Sequence, residues 1–138
     1  MSKFSKKSYR YLLFSSVLLG LILISGFGSP ITVDSKNQTI LGTWIAEKDA
    51  KSKWVFTSDG NCKKYYNGEL LNTYAYSMNN TSPQCGETVP VNSNTQYLKL
   101  TKIGKVDTEY CYEINGITTE KLSLRQIGGG GLLLFNKQ

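Results

Sequence analysis

A chain of 138 residues with 16 Lys and Arg, 10 Asp and Glu and no His suits one small domain and is too short for two. Without imidazole it can build no His-based triad, no His metal site and no His proton relay. The formal charge of +6 sits mostly at the start, where Lys3, Lys6, Lys7 and Arg10 precede the first acid; from Ser29 onward 12 basic residues stand against 10 acidic ones, so no nucleic-acid partner is expected.

Residues 1–10 are basic without an acid, and Tyr11 to Phe27 is a run of Leu, Ile, Val and Phe broken only by Ser and Gly. This is the layout of an export signal, residues 1–28, with Gly26 and Gly28 placing a peptidase cut near the Gly28/Ser29 bond. An uncleaved anchor is the alternative, because the 11–27 run lies at the lower edge of what spans about 30 Å of hydrocarbon; it would be the protein's one contact with a membrane. Ile24-Ser25-Gly26 resembles the bacterial lipoprotein processing pattern, but the lipid-bearing Cys is replaced by Phe27, which excludes ordinary lipidation. The mature part is expected outside the cytosol: in a periplasm, a cell envelope or the extracellular space.

Residues 29–39 are polar and read as a linker to a domain over 40–138. Beyond them apolar runs of five to nine residues alternate with turn chemistry, and no segment sustains helical spacing. Eight strands are predicted: 40–47, 53–57, 62–66, 70–78, 96–103, 108–114, 118–127 and 132–136. The turn signals are Ser58-Asp59-Gly60-Asn61, Asn67-Gly68, Asn115-Gly116 and Gly128 to Gly131. Alternation puts Gly42, Trp44 and Ala46 on one face, and likewise Trp54 and Phe56, Tyr74 and Tyr76, Leu98 and Leu100, Tyr110, Tyr112 and Ile114, and Leu122 and Leu124. Charged residues such as Lys53, Lys99, Glu109, Glu113, Lys121 and Arg125 fall between them. Sequential hairpins with one aromatic face predict an all-β, eight-stranded, up-and-down antiparallel barrel.

Cys62, Cys85 and Cys111 allow at most one internal bridge. Cys85 lies in the polar Ser82-Pro83-Gln84-Cys85-Gly86 loop, which gains from being tied to a strand, so a Cys85 to Cys111 disulfide is expected in an oxidising compartment. Cys62 is left as a strand thiol or as a route to an intermolecular bridge. Without His or CxxC no zinc site is expected.

Leu41-Gly42-Thr43-Trp44, followed by Lys53-Trp54-Val55-Phe56-Thr57-Ser58-Asp59-Gly60, resembles the opening of the lipocalin and calycin proteins, in particular the short lipocalin-like proteins of bacterial envelopes. Cys111-Tyr112-Glu113-Ile114, Leu122-Ser123-Leu124 and the final Leu132 to Phe135 are similar as well, so the resemblance runs over roughly 40 to 136. It implies that Trp44 lies across the closed end of a barrel, with Gly42 letting a neighbouring backbone approach. Longer lipocalins pack a basic residue on this Trp beyond the last strand; the nearest basic residue of the terminal hairpin is taken to be Arg125, which alternation assigns to the exposed face. The avidins are similar in their Gly-Thr-Trp opening, but they surround their ligand with several more Trp than Trp44 and Trp54, so biotin binding is not implied.

Glu109 and Glu113 share a strand face but stand about 13 Å apart at strand rise, too far for a glycosidase pair. The Gly128 to Gly131 run is followed by no helix and no Lys-Ser/Thr, so it is a turn and not a phosphate cradle. Asn37, Asn79 and Asn80 sit in N-x-S/T sequons, which matter only in a glycosylating host. The expectation is a non-enzymatic domain without metal or cofactor that binds a small apolar or amphipathic molecule. Trp54, Phe56, Tyr66, Tyr74, Tyr76, Tyr110 and Tyr112 would line the lumen above a Trp44 floor. The alternative is a filled barrel acting as an envelope interaction or structural module. Composition gives no oligomeric state.

Overall fold

The computed structural model describes residues 40–105 and 107–138. The proposed signal and linker therefore lie outside the described residues. Among those described there is no helix, and eight antiparallel strands close into a barrel. In chain order they are β1 (Gly42–Ala46), β2 (Ser52–Phe56), β3 (Asn61–Tyr66), β4 (Glu69–Asn79), β5 (Tyr97–Lys102), β6 (Glu109–Ile117), β7 (Lys121–Gln126) and β8 (Leu132–Lys137). Each pairs with the next, and β8 returns to β1 with Trp44 opposite Lys137. Closure leaves no unpaired sheet edge, which a meander needs if it is to bury one face without a partner sheet.

The predicted alternation holds. Trp44, Trp54, Phe56, Cys62, Tyr74, Leu98, Leu100, Tyr112, Ile114, Leu122, Leu124 and Phe135 form one buried cluster inside the barrel. Outside, Lys99 pairs with Glu109 at 2.6 Å and Lys121 with Glu47 at 2.7 Å, and Arg125 is exposed in register with Glu113.

Two turns decide the register. Asn67 and Gly68 take φ of 50° and 88°, the paired positive values of a two-residue hairpin turn, and Tyr66 faces Glu69 across it. Asn115-Gly116, expected to turn as well, instead stays within β6, where the pairing with β7 shifts between Ile114 and Gly116. The reversal comes at 118–120, because the Thr118 hydroxyl accepts the N–H groups of Glu120 (3.2 Å) and Lys121 (2.9 Å) while Thr118 N–H donates to Lys121 C=O. A side-chain turn thus supplied the reversal and left the Asn-Gly pair as a bulge.

The longest connection, 80–96, lies on the outer wall. Cys85 and Cys111 are joined by a disulfide, and Cys111 points outward from β6, between inward-facing Tyr110 and Tyr112. Gln84 is buried beside it, donating to Asn79 Oδ1 (2.6 Å) and Thr81 C=O (2.7 Å). Tyr97, also on the outer face, is buried and donates its hydroxyl to Pro90 C=O. A polar loop with little apolar content of its own is thereby held by one covalent bond and a few satisfied polar groups.

Candidate functional site

The strand directions give the barrel two unlike ends. One carries the start of β1, the end of β8 and the turns at 57–60 and 118–120; the other carries the β1–β2, β3–β4, β5–β6 and β7–β8 connections.

The first end is closed. Trp44 is completely buried and its indole N–H donates to Ile40 C=O at 2.7 Å, with Ile40 itself buried. Lys137 Nζ stands 5.0 Å from the Trp44 ring centre. Gly42 has φ of 119°, and a Cβ built there would come within 2.9 Å of Lys137 Cε. Gly42 therefore makes room for the lysine side chain, where a neighbouring backbone had been expected. Arg125, the nearest basic residue expected from the terminal hairpin, lies exposed on the outer face as alternation assigned it, and the basic residue over Trp44 is Lys137 of the last strand. Its signal was legible: Lys137 closes the chain's last strand, and pairing that strand with β1 brings it to Trp44.

Above this floor the rings contact one another, edge to face in three pairs and tilted in a fourth. Phe56 and Tyr76 lie 5.2 Å apart at 86°, Trp54 and Tyr112 5.7 Å at 69°, Tyr74 and Tyr110 5.9 Å at 78°, and Trp54 meets Phe135 at 5.0 Å. Seven of the eight expected lining residues, Trp44, Trp54, Phe56, Tyr74, Tyr76, Tyr110 and Tyr112, are thus brought together inside the barrel. Tyr66 is not among them. It keeps the parity of Cys62 and Lys64 in the β2–β3 register, opposite Ser52, but as the last residue of β3, beside the Asn67-Gly68 turn, it emerges at the rim, 45% exposed.

The lumen also holds a residue that the sequence reading left out. Lys64, opposite Trp54 in the β2–β3 register, places its Nζ 3.5 Å from the Trp54 ring centre, 4.8 Å from Tyr74, 5.4 Å from Tyr110 and 5.6 Å from Tyr112. Four ring faces from β2, β4 and β6 surround one ammonium. Burial draws its pKa down from the usual lysine value to about 8, with the neighbouring Cys62 thiol acting weakly the other way. Cys62 is a buried free thiol whose pKa burial pushes up to about 12. Burial also raises Tyr112, the nearby Tyr74 and Tyr110 hydroxyls adding to the shift. Lys63-Lys64-Tyr65-Tyr66 gives no alternation by itself, but counting in twos from Cys62 assigns Lys64 inward.

At the far end a cavity of about 100 Å³, mostly apolar, lies between Ala46, Lys48, Ser52, Trp54, Leu133 and Phe135. The rim around it exposes Tyr66, Leu70, Leu71, Ile103 and Leu132, each 45 to 58% accessible. A wider hollow of about 640 Å³ opens on the outer wall beside Cys85, lined by Lys99, Asp107 and Glu109. Among the described residues no group of three or more Cys, Asp and Glu gathers as a metal site would require.

The fold is that of a closed, eight-stranded, up-and-down antiparallel barrel, consistent with a lipocalin-like architecture. No family model, curated protein or solved structure matches the chain.

Proposed function

We propose that this is a lipocalin-like domain of the cell envelope that takes a small apolar or amphipathic molecule into the open end of its barrel. The observation that carries the reading is the asymmetry of the interior. Trp44, Ile40 and Lys137 seal one end, while Trp54 and Phe135 border an apolar cavity at the other, beneath a rim of exposed Leu, Ile and Tyr side chains. Apolar surface left at the mouth of a barrel suits a guest that shares it. The Gly42, Trp44 and Lys137 arrangement supports the lipocalin-like assignment, and the Cys85–Cys111 disulfide is compatible with an exported, oxidising location. We read the domain as a binder without catalysis: Glu109 is tied to Lys99 on the outer wall, away from the lumen.

Native mass spectrometry of the purified domain, with Trp fluorescence titrated against medium-chain alcohols, tests this. Copurified mass, or a saturable shift in emission, is the expected result; an unliganded domain with no response to any alcohol refutes it. The second reading, an envelope interaction module, draws on the same rim, since Tyr66, Leu70, Leu71, Ile103 and Leu132 all lie at one end. Leu70→Ser with Leu71→Ser separates the two. Loss of cross-linked partners in intact cells with alcohol binding intact favours the module.

A further inference from the structure

We infer that Lys64 is an anchor for an anionic head group, so that the molecule taken into the barrel is an apolar tail bearing an anionic head. The inference rests on the binding reading above and deepens it.

Three observations converge on it. First, Lys64 lies on the inward face of β3 among Trp54, Tyr74, Tyr110 and Tyr112, its Nζ 3.5 to 5.6 Å from their ring centres. Second, the two ion pairs among the described residues, Lys99–Glu109 and Lys121–Glu47, do not involve it, and among those residues the one ionisable group acting on it by charge is the Cys62 thiol. Third, Trp54 is both the ring closest to Nζ and a wall of the cavity at the open end, so the cation and the apolar space share a side chain.

A cation withdrawn from water without an anion has an unmet electrostatic requirement. Ring faces meet part of it through their quadrupoles, and an anion meets it better, by a charge-assisted hydrogen bond in a setting of low dielectric. The groups facing Nζ from the neighbouring strands are Trp54 on β2, Tyr74 on β4 and Tyr110 and Tyr112 on β6, with Cys62 on its own strand; none is a carboxylate. The site therefore discriminates by sign. An anionic head gains a partner, a neutral head gains only apolar burial, and a cationic head is repelled. With a pKa of about 8 the amine is mostly protonated at neutral pH, as an anchor requires.

The test titrates the domain with octanoate, octyl phosphate, octanol and octylamine, following Trp emission, in wild type, Lys64→Met and Lys64→Arg. Octanoate or octyl phosphate is expected to bind about tenfold or more tighter than octanol, and the better of the two identifies the head group. Lys64→Met should erase that preference while leaving octanol within about twofold, and Lys64→Arg should keep it. Far-UV circular dichroism establishes that each variant folds. Equal binding of octanoate, octyl phosphate and octanol by wild type overturns the anchor and leaves the binding reading standing. So does a preference that survives Lys64→Met. Binding of none of the four overturns both.

Discussion

Lys64 burdens the fold in a way that pH should reveal. Its pKa is about 8 in the barrel against 10.5 ordinarily, so the folded protein releases this proton before the unfolded chain does. Below pH 8 both states carry the charge and the full burial penalty applies; as pH rises from 8 through 10.5 the penalty is relieved and stability from this group increases. The depressed pKa corresponds to about 3 kcal/mol at about 1.4 kcal/mol per pKa unit. Partial exposure at the mouth and the Trp54 contact at 3.5 Å reduce it, leaving about 1 to 2 kcal/mol. Lys64→Met keeps the stem and removes the charge, so it should be more stable than wild type by about that amount near pH 7, with the gap closing toward pH 10. Cys62 acts in the opposite sense. Its thiol, near 12 in the fold and 9.0 ordinarily, stays protonated while the unfolded chain ionises, so stability falls above pH 9 in both proteins. Urea unfolding of the pair, followed by far-UV circular dichroism at several pH values, cancels that shared term. A difference that is flat from pH 7 to 10 would refute the claim that Lys64 is desolvated.

Gly42→Ala should cost about 1 to 3 kcal/mol, since φ of 119° is unsuited to an L side chain and the new Cβ meets Lys137 Cε; in a Lys137→Ala background thermal melts should recover only the part due to contact. Cys111→Ala, or reduction of the intact protein, should lower stability by about 2 to 4 kcal/mol and open residues 81–94 to limited proteolysis with the barrel still folded. Cys62 should resist thiol reagents at pH 7 until urea unfolds the domain; prompt labelling of the native protein would contradict its burial.

Strand count and facing were legible because they depend on period-two alternation and on turn residues with positive φ, both local properties. All eight strands fall within a few residues of their predicted bounds. The Cys85–Cys111 pairing was legible too, since a polar loop has few other means of attachment. Asn115-Gly116 misled because the pair permits a tight turn without compelling one, and Thr118 offered a competing hydroxyl three residues on. Tyr66 was misplaced because alternation fixes which face a side chain takes but not its depth, and this residue ends β3 at the rim. Lys64 was missed for a different reason. Charge is ordinarily an outward signal in a strand, and the doublet Lys63-Lys64 invites the assumption that both face water. Parity counted from Cys62 contradicts that for one of the two, and the contradiction was the informative feature.

The two lysines over tryptophans show how one kind of contact can do opposite things at the two ends. Lys137 sits on Trp44 where the ring is wholly buried, its indole is hydrogen-bonded and Gly42 gives the stem room; there the cation covers an apolar plug and helps to close it. Lys64 sits nearer its ring, at 3.5 Å, but three tyrosines complete its surroundings and Cys62 is the ionisable group acting on its charge. A lysine kept only to fill space there would be outperformed by a methionine of similar length, which carries no desolvation penalty. What the ammonium adds that methionine lacks is attraction for negative charge at a mouth already ringed by apolar side chains. On the anchor reading proposed above, the barrel is most stable in its own right without that charge and most selective with it, the trade expected where a fold gives up local stability to hold a binding group in place.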